Sequence, residues 1–185
     1  MVEVRFLSME ELEAGLEAVR QAPKELGVLE MIVRRPEIDV REVLEEGMLD
    51  RDQGLVGDSW KVRGSTRTAD GSAHPDMQIN VMNARVIALL AQDKERWRLA
   101  GDQLFIDLDI SLENLPPGTR LALGKAVIEV TDQPHTGCAK FMERFGKDAL
   151  KFVNSPEGRV LRLRGMNAKV VQTGAIRVGD VVNKL

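Results

Sequence analysis

The chain has 185 residues, a formal net charge of −3, one cysteine, two histidines and no tyrosine. That length suits one domain with a substantial core, and the ordinary apolar content argues against disorder. The mild acidity provides no concentrated basic face for nucleic acid, no apolar run approaches membrane-spanning length, and the N-terminus has no signal-peptide pattern. A single cysteine cannot close an intramolecular disulfide, so a reducing, cytoplasmic setting is the default expectation. Aromatic residues are scarce, which leaves the core to Leu, Val, Ile and Met.

Ser8 and Glu11 have the spacing of a capping box, and Leu7 and Leu12 could form its hydrophobic staple. Leu12, Leu16 and Val19 recur at helical spacing, so residues 9–21 read as a short amphipathic helix that Pro23 ends. Val28 to Arg34 reads as a strand stopped by Pro36. The acidic run from Val40 to Glu46 reads as a turn or two of helix with a solvated face. Residues 47–75 are rich in Gly, Asp, Ser, Thr and Arg. Such a stretch is long for an idle loop, and it is either functional or a disordered surface segment. Gln78 to Met82 reads as a strand, and Val86, Leu89 and Leu90 continue it as a helix.

From Gly101 onward the pattern is mostly β. Leu104, Ile106 and Leu108 alternate with Phe105, Asp107 and Asp109. Pro116-Pro117-Gly118 marks a turn, and Arg120 to Val130 reads as a hairpin turning at Gly124-Lys125. A helix is predicted from the Cys138 loop to about Val153, ended by the run from Asn154 to Gly158. Two short strands follow, Lys169 to Val171 and Ala175 to Val178. Many short strands with glycine turns and a few helices define a mainly β fold with α additions, a β-barrel decorated with short helices. The one boundary, near residues 23–27, separates an N-terminal helical appendage (1–26) from the main domain (27–185).

Several chemistries are absent. No glycine-rich phosphate loop leads to Lys-Ser/Thr, no Rossmann glycine triplet follows a strand, and no cysteine pairs exist for zinc or dithiol exchange. His74 and His135 alone cannot build a multi-histidine metal site. Asp107 and Asp109 share a strand face and read as solvated carboxylates more simply than as an acid–base pair.

The chemistry concentrates at Cys138. A strand through Ala126, Ile128 and Val130 is broken by Pro134 and Gly137, and Ala139 to Phe145 looks helical. The thiol therefore falls where a strand-end loop enters a helix. Amide N–H groups there favour a thiolate, and His135, Lys140 and Arg144 could add positive potential. The competing expectation is a buried, inert cysteine.

The runs Gly101-Asp102-Gln103-Leu104-Phe105-Ile106-Asp107, Leu115-Pro116-Pro117-Gly118-Thr119-Arg120 and Pro134-His135-Thr136-Gly137-Cys138 closely resemble the MOSC domain, the C-terminal domain of molybdenum-cofactor sulfurases. Arg164 to Val170, Gly174 and Val178-Gly179-Asp180 resemble its closing pattern, and Gly54-Leu55-Val56-Gly57-Asp58 is similar to its upstream glycine–aspartate motif. The resemblance covers residue 28 to the C-terminus, with departures at Ser59, Trp60 and Gly137, where relatives often carry basic residues or histidine after the aspartate and proline before the cysteine. It implies a MOSC-type barrel with the cysteine in an active cleft. By match to the motif, Cys138 would be a molybdenum ligand or a persulfide carrier. The implied functions are binding of molybdenum cofactor with reduction of N-hydroxylated compounds, non-catalytic sulfur carriage, or binding without cofactor chemistry. The implied partners are the cofactor or a sulfur donor, and an electron-donor protein. Candidate contacts to the cofactor's phosphate and pterin are Arg63, Arg67, His135, Lys140, Arg144, Arg162, Arg164 and Asn167.

Overall fold

The computed structural model describes residues 4–185. Two short helices come first, α1 (Met9–Ala14) and α2 (Leu16–Arg20). The capping box forms as the sequence predicts: the Glu11 N–H donates to Ser8 Oγ, and the Ser8 N–H donates to the Glu11 carboxylate. The predicted single helix is interrupted at Gly15, where a Cβ would lie 2.5 Å from Leu89 Cδ1. Strand β1 (Leu26–Arg34) follows, then β2 (Glu42–Leu44), β3 (Glu46–Asp50), β4 (Gly54–Leu55) and a helical turn α3 (Trp60–Arg63). The acidic run predicted as helix is thus partly strand. Val43 and Leu44 pair with Val33 and Ile32, so tertiary pairing overrides the local helix preference of its glutamates.

Next come β5 (Ile79–Asn83), α4 (Ala84–Ala91), β6 (Leu104–Asp107), and the hairpin of β7 (Arg120–Leu123) and β8 (Ala126–Val130). Three helices, α5 (Ala139–Phe145), α6 (Lys147–Asn154) and α7 (Pro156–Val160), lead to β9 (Met166–Gln172), β10 (Gly174–Arg177) and β11 (Val181–Lys184). The helix predicted to run unbroken to Val153 is split at Gly146, whose φ of +97° an L-residue rarely adopts. The segment expected only to end that helix starts another: Ser155 caps α7 through Gly158 N–H, and Pro156 takes its first position.

The strands run β11-β7-β8-β9-β5-β6-β1, and β1 pairs back onto β11, which closes a seven-stranded barrel; β2 adds to β1 outside the ring. A second small sheet runs β10-β3-β4. The β5–β6 pair is parallel, and such a pair requires a crossover, which α4 and the turn after it supply. Alternation decides the layers. Ile79, Val81, Leu104, Ile106, Ile128 and Val182 point inward and are at most 1% exposed. Met82 and Phe105 point outward beneath the helices, where Leu12, Ile87, Phe141, Phe145 and Phe152 join them in a second core. A bulge in β1 between Leu29 and Met31 changes the phase, so Leu29 and Ile32 face the interior while Met31 and Val33 face the helical layer. Helices α1 and α2 contribute Leu12, Leu16 and Val19 to this second core. Among the described residues, no helix is long and apolar enough to cross a membrane.

Candidate functional site

Two glycine–aspartate pairs set the frame of the site. Gly57 (φ +85°) and Gly101 (φ +89°) turn the chain, and each is followed by a carboxylate with no solvent exposure, Asp58 and Asp102. A buried carboxylate is costly unless ion-paired and hydrogen-bonded. Asp58 accepts from the backbone N–H, Nε and Nη2 of Arg35, each at 2.9 Å, and from the Trp60 N–H at 3.0 Å. Arg35, just past the end of β1, also donates through Nη1 to Asn80 Oδ1 and to the Gly101 carbonyl, both at 2.9 Å. This bidentate pair ties β1, the turn after β4, β5 and the start of β6 into one unit.

The second carboxylate holds the cysteine loop. Asp102 Oδ2 accepts from Arg164 Nη1 at 2.6 Å, and its Oδ1 lies 2.8 Å from His135 Nε2. Burial opposes the charge on Asp102, but Arg164 and then His135 outweigh it and hold the carboxyl below its ordinary value. Burial lowers the pKa of His135, and Arg164 lowers it further, against the opposing pull of Asp102. The imidazole is therefore neutral, and the carboxylate selects the tautomer with its proton on Nε2.

Two more contacts fix the same loop. Asn167, fully buried, donates through Nδ2 to the carbonyls of Gln133 (3.1 Å) and Pro134 (3.3 Å), while its Oδ1 accepts from Asn80 Nδ2 at 2.7 Å. The Asn154 amide brackets Gly137: its Oδ1 accepts from the Gly137 N–H (2.9 Å) and its Nδ2 donates to the Gly137 carbonyl (3.1 Å). Proline at position 137 would lack that N–H. A Cβ there would also come within 2.8 Å of Leu150 Cδ1. Cys138 follows directly and is exposed at the start of α5. The thiol is not the buried cysteine that composition alone allows.

Cations gather beside this frame. Lys140 and Arg144, one turn apart on α5, both reach Asp39, at 3.1 and 3.2 Å. The Arg144 guanidinium also donates to the Leu99 carbonyl. Burial lowers the pKa of Arg41, and its neighbours Arg144 and Arg35 lower it further. Arg63 is lowered by burial and then by Arg35. Gly101 sits against this group: a Cβ there would lie 3.7 Å from Arg41 Nη2 and 4.0 Å from Arg144 Nη1. Arg41 Nε and Trp60 Nε1 are buried donors with no acceptor among the described residues. A cationic group in which Arg41 Nε has no acceptor is suited to an anion.

The candidates named from the sequence thus divide. Lys140, Arg144 and Arg63 belong to the cationic group, and Arg63 also lines a groove of about 580 Å3 with Arg67. His135, Arg164 and Asn167 lie beneath the cysteine loop with their hydrogen bonds largely spent on holding it. Arg35, Arg41, Asn80 and Gln103 were not singled out. Gln103 is fully buried, accepts from the Asn80 N–H at 2.7 Å and donates to the Gln78 carbonyl at 3.2 Å. The available signal was an Arg-Arg-Pro ending to β1. Among the described residues, no group of three or more His, Cys, Asp or Glu could hold a metal ion.

A closed barrel with a cysteine presented from a pinned loop beside a cationic cluster defines a β-barrel domain with one candidate thiol centre. Residues 70–183 match the MOSC domain family, and the chain belongs to that family. The fold is similar to that of the YuaD protein from Bacillus subtilis, with a TM-score of 0.63 and 16% identity over 85% of this chain and 94% of that one. It is also similar to YiiM from Escherichia coli (0.54; 20% identity; 85% of this chain and 69% of that one) and to YiiM from Geobacillus stearothermophilus (0.53; 12%; 88% and 73%). At these identities the likeness is one of fold. No protein of curated function matches the chain in sequence.

Proposed function

We propose that the protein binds molybdenum cofactor, with Cys138 as the thiolate ligand to the metal and Arg41, Arg63, Arg144 and Lys140 holding the cofactor's anionic groups. The observation that carries this reading is an exposed thiol on a loop fixed by Asn167, Asp102 and Asn154, leading into the helix that brings Arg144 beside Arg41 and Lys140 to Asp39. The residues fit such a group. Its phosphate needs several cationic donors, and Arg41 Nε is buried without an acceptor. One soft sulfur is the right contribution to a metal that brings its own dithiolene ligands. When bound, the cofactor supplies two-electron redox chemistry. Arg67, which lines a groove with Arg63, is assigned to the cofactor's outer rim.

The protein's own residues do three things in this scheme. Burial and Arg164 keep His135 neutral and Asp102 fixes its ring, so the loop presents Cys138 without having to be ordered on binding. The Arg35–Asp58 pair sets the Gly101 turn against Arg41 and Arg144. Arg41, Arg63 and Arg144 supply positive potential for the cofactor's anionic groups. The bound group would equip the protein to reduce an N-hydroxylated compound, a change that takes two electrons and two protons, breaks the N–O bond and releases water, with a partner electron-transfer protein as the source of the electrons.

A second reading is persulfide carriage on Cys138, favoured by the exposure of its sulfur and the lack of a second cysteine to discharge it within the chain. Metal and pterin analysis of protein from a cofactor-producing host, with intact-mass measurement, separates the two. The proposal expects molybdenum with pterin. A protein without molybdenum but with an added sulfur atom on Cys138 would replace it with the second reading, and a bare thiol without metal would overturn both.

A further inference from the structure

Behind the cysteine loop lies a cavity of about 410 Å3 that this assignment leaves unused, and Cys138 does not line it. It opens between the loop that leaves β8 and the segment from α7 to β9. Its lining combines apolar side chains, Leu112, Pro117, Val153 and Met166, with the cationic Arg159, Arg162 and Arg164, and Asp132 is the one carboxylate among the lining residues.

Two of these arginines carry unspent donors. Arg164 is 7% exposed; its Nη1 and Nη2 donate to Asp102 and to the Ala100 carbonyl, and its Nε is buried with no acceptor. Arg162 occupies the left-handed region (φ +50°), which is uncommon for a residue other than glycine. Its hydrogen bonds all run through Nη1, to the carbonyls of Leu115 (2.6 Å) and Ile110 (3.3 Å) and to the Met166 sulfur at 3.9 Å. Among the described residues nothing accepts from its Nε or Nη2. Those two nitrogens form the guanidinium edge that matches a carboxylate with two parallel hydrogen bonds.

We propose that this cavity binds an organic carboxylate whose body is a small apolar group about the size of one aromatic ring. The carboxylate lies on the Arg162 edge and Arg164 Nε, and the ring lies against Leu112, Pro117 and Met166. A lining that combines apolar side chains with a planar two-nitrogen fork favours this class over inorganic phosphate, which would leave the apolar lining unused. The cationic group around Arg41 takes no part, so the proposal stands apart from cofactor binding.

Benzoate is the probe, titrated into the full chain by calorimetry, with inorganic phosphate as competitor. The expected result is saturable binding at one site that phosphate at equal concentration does not displace. Arg162→Met should weaken binding at least tenfold. Since Arg162 also supports two backbone carbonyls, Leu112→Asp is the second variant. Leu112 is 43% exposed at the rim, so the fold should survive while the new carboxylate repels the ligand. Failure of benzoate to saturate, full displacement by phosphate, or undiminished binding to a folded Leu112→Asp protein would each overturn the proposal.

Discussion

Asp58 and Asp102 have no exposed side-chain surface, and each is met by an arginine. Removing one partner of such a pair leaves an uncompensated buried charge, so Arg35→Met should cost about 3–5 kcal/mol of unfolding free energy, measured by urea titration. A loss below ~1 kcal/mol would show that water reaches Asp58. His135 gives a pH signature. Its folded pKa lies below the ordinary value, so the unfolded chain binds the extra proton first as pH falls. Stability is therefore full above about pH 6.5 and declines below it, and Asp102, also depressed, adds a further decline at lower pH. The urea midpoint should drop between pH 7.5 and 5.5, and His135→Gln should flatten that drop. An unchanged slope would remove His135 as its source. Cys138→Ser, at an exposed position, should change stability by no more than about 0.5 kcal/mol in the same titration. The lone cysteine in its loop was legible from sequence because its neighbours end a strand and open a helix. The aspartates were harder to read, since a glycine–aspartate pair marks a turn whether its carboxylate is solvated, as many are, or buried on an arginine. That distinction depends on Arg35 and Arg164, which are distant in the chain.

At the scale of elements, the sequence marked strands with clean alternation and lost those defined by pairing. The β7–β8 hairpin was legible from its period of two and its Gly124-Lys125 turn. Strand β2 was hidden in a glutamate-rich run whose local preference points to helix, and most of β3 in the glycine- and aspartate-rich stretch that reads as a loop. The break between α5 and α6 was hidden because Gly146 in a helical pattern reads as tolerated, and only its φ of +97° shows otherwise. Gly146→Ala should therefore destabilise by about 1–3 kcal/mol, since its backbone lies where essentially only glycine is comfortable. A Cβ there would also meet Phe6 Cγ at 2.8 Å and Phe6 Cβ at 2.9 Å, at the root of that side chain, so crowding adds to the backbone strain. A neutral result by thermal denaturation would mean that α5 and α6 can rejoin as one helix. Gly146 ends the helix from which Lys140 and Arg144 reach Asp39, so the same variant should also disturb the cationic group.

The whole molecule depends on its last strand. β11 pairs with both β1 and β7, Val182 is fully buried, and the ring is open without it. Four residues with one buried valine give little signal, which is why barrel closure was not traced to this segment even though a barrel was expected. Deleting residues 181–185 should expose the edges of β1 and β7 and lead to aggregation or loss of cooperative unfolding, visible by light scattering and circular dichroism. Closure matters to function because β1, β5, β6 and β9 carry the partners that fix the cysteine loop and the Gly101 turn. The convergence of Arg41 and Arg144 on that turn is a property of the closed barrel, and no local pattern encodes it. The central claim, Cys138 as the protein's ligand to molybdenum, is tested most directly by X-ray absorption at the molybdenum edge on protein loaded in a cofactor-producing host. The wild type should show one more sulfur scatterer than Cys138→Ser or, where the ligand is needed for retention, metal that the variant lacks. Equal molybdenum content with identical sulfur coordination in the two proteins would contradict it.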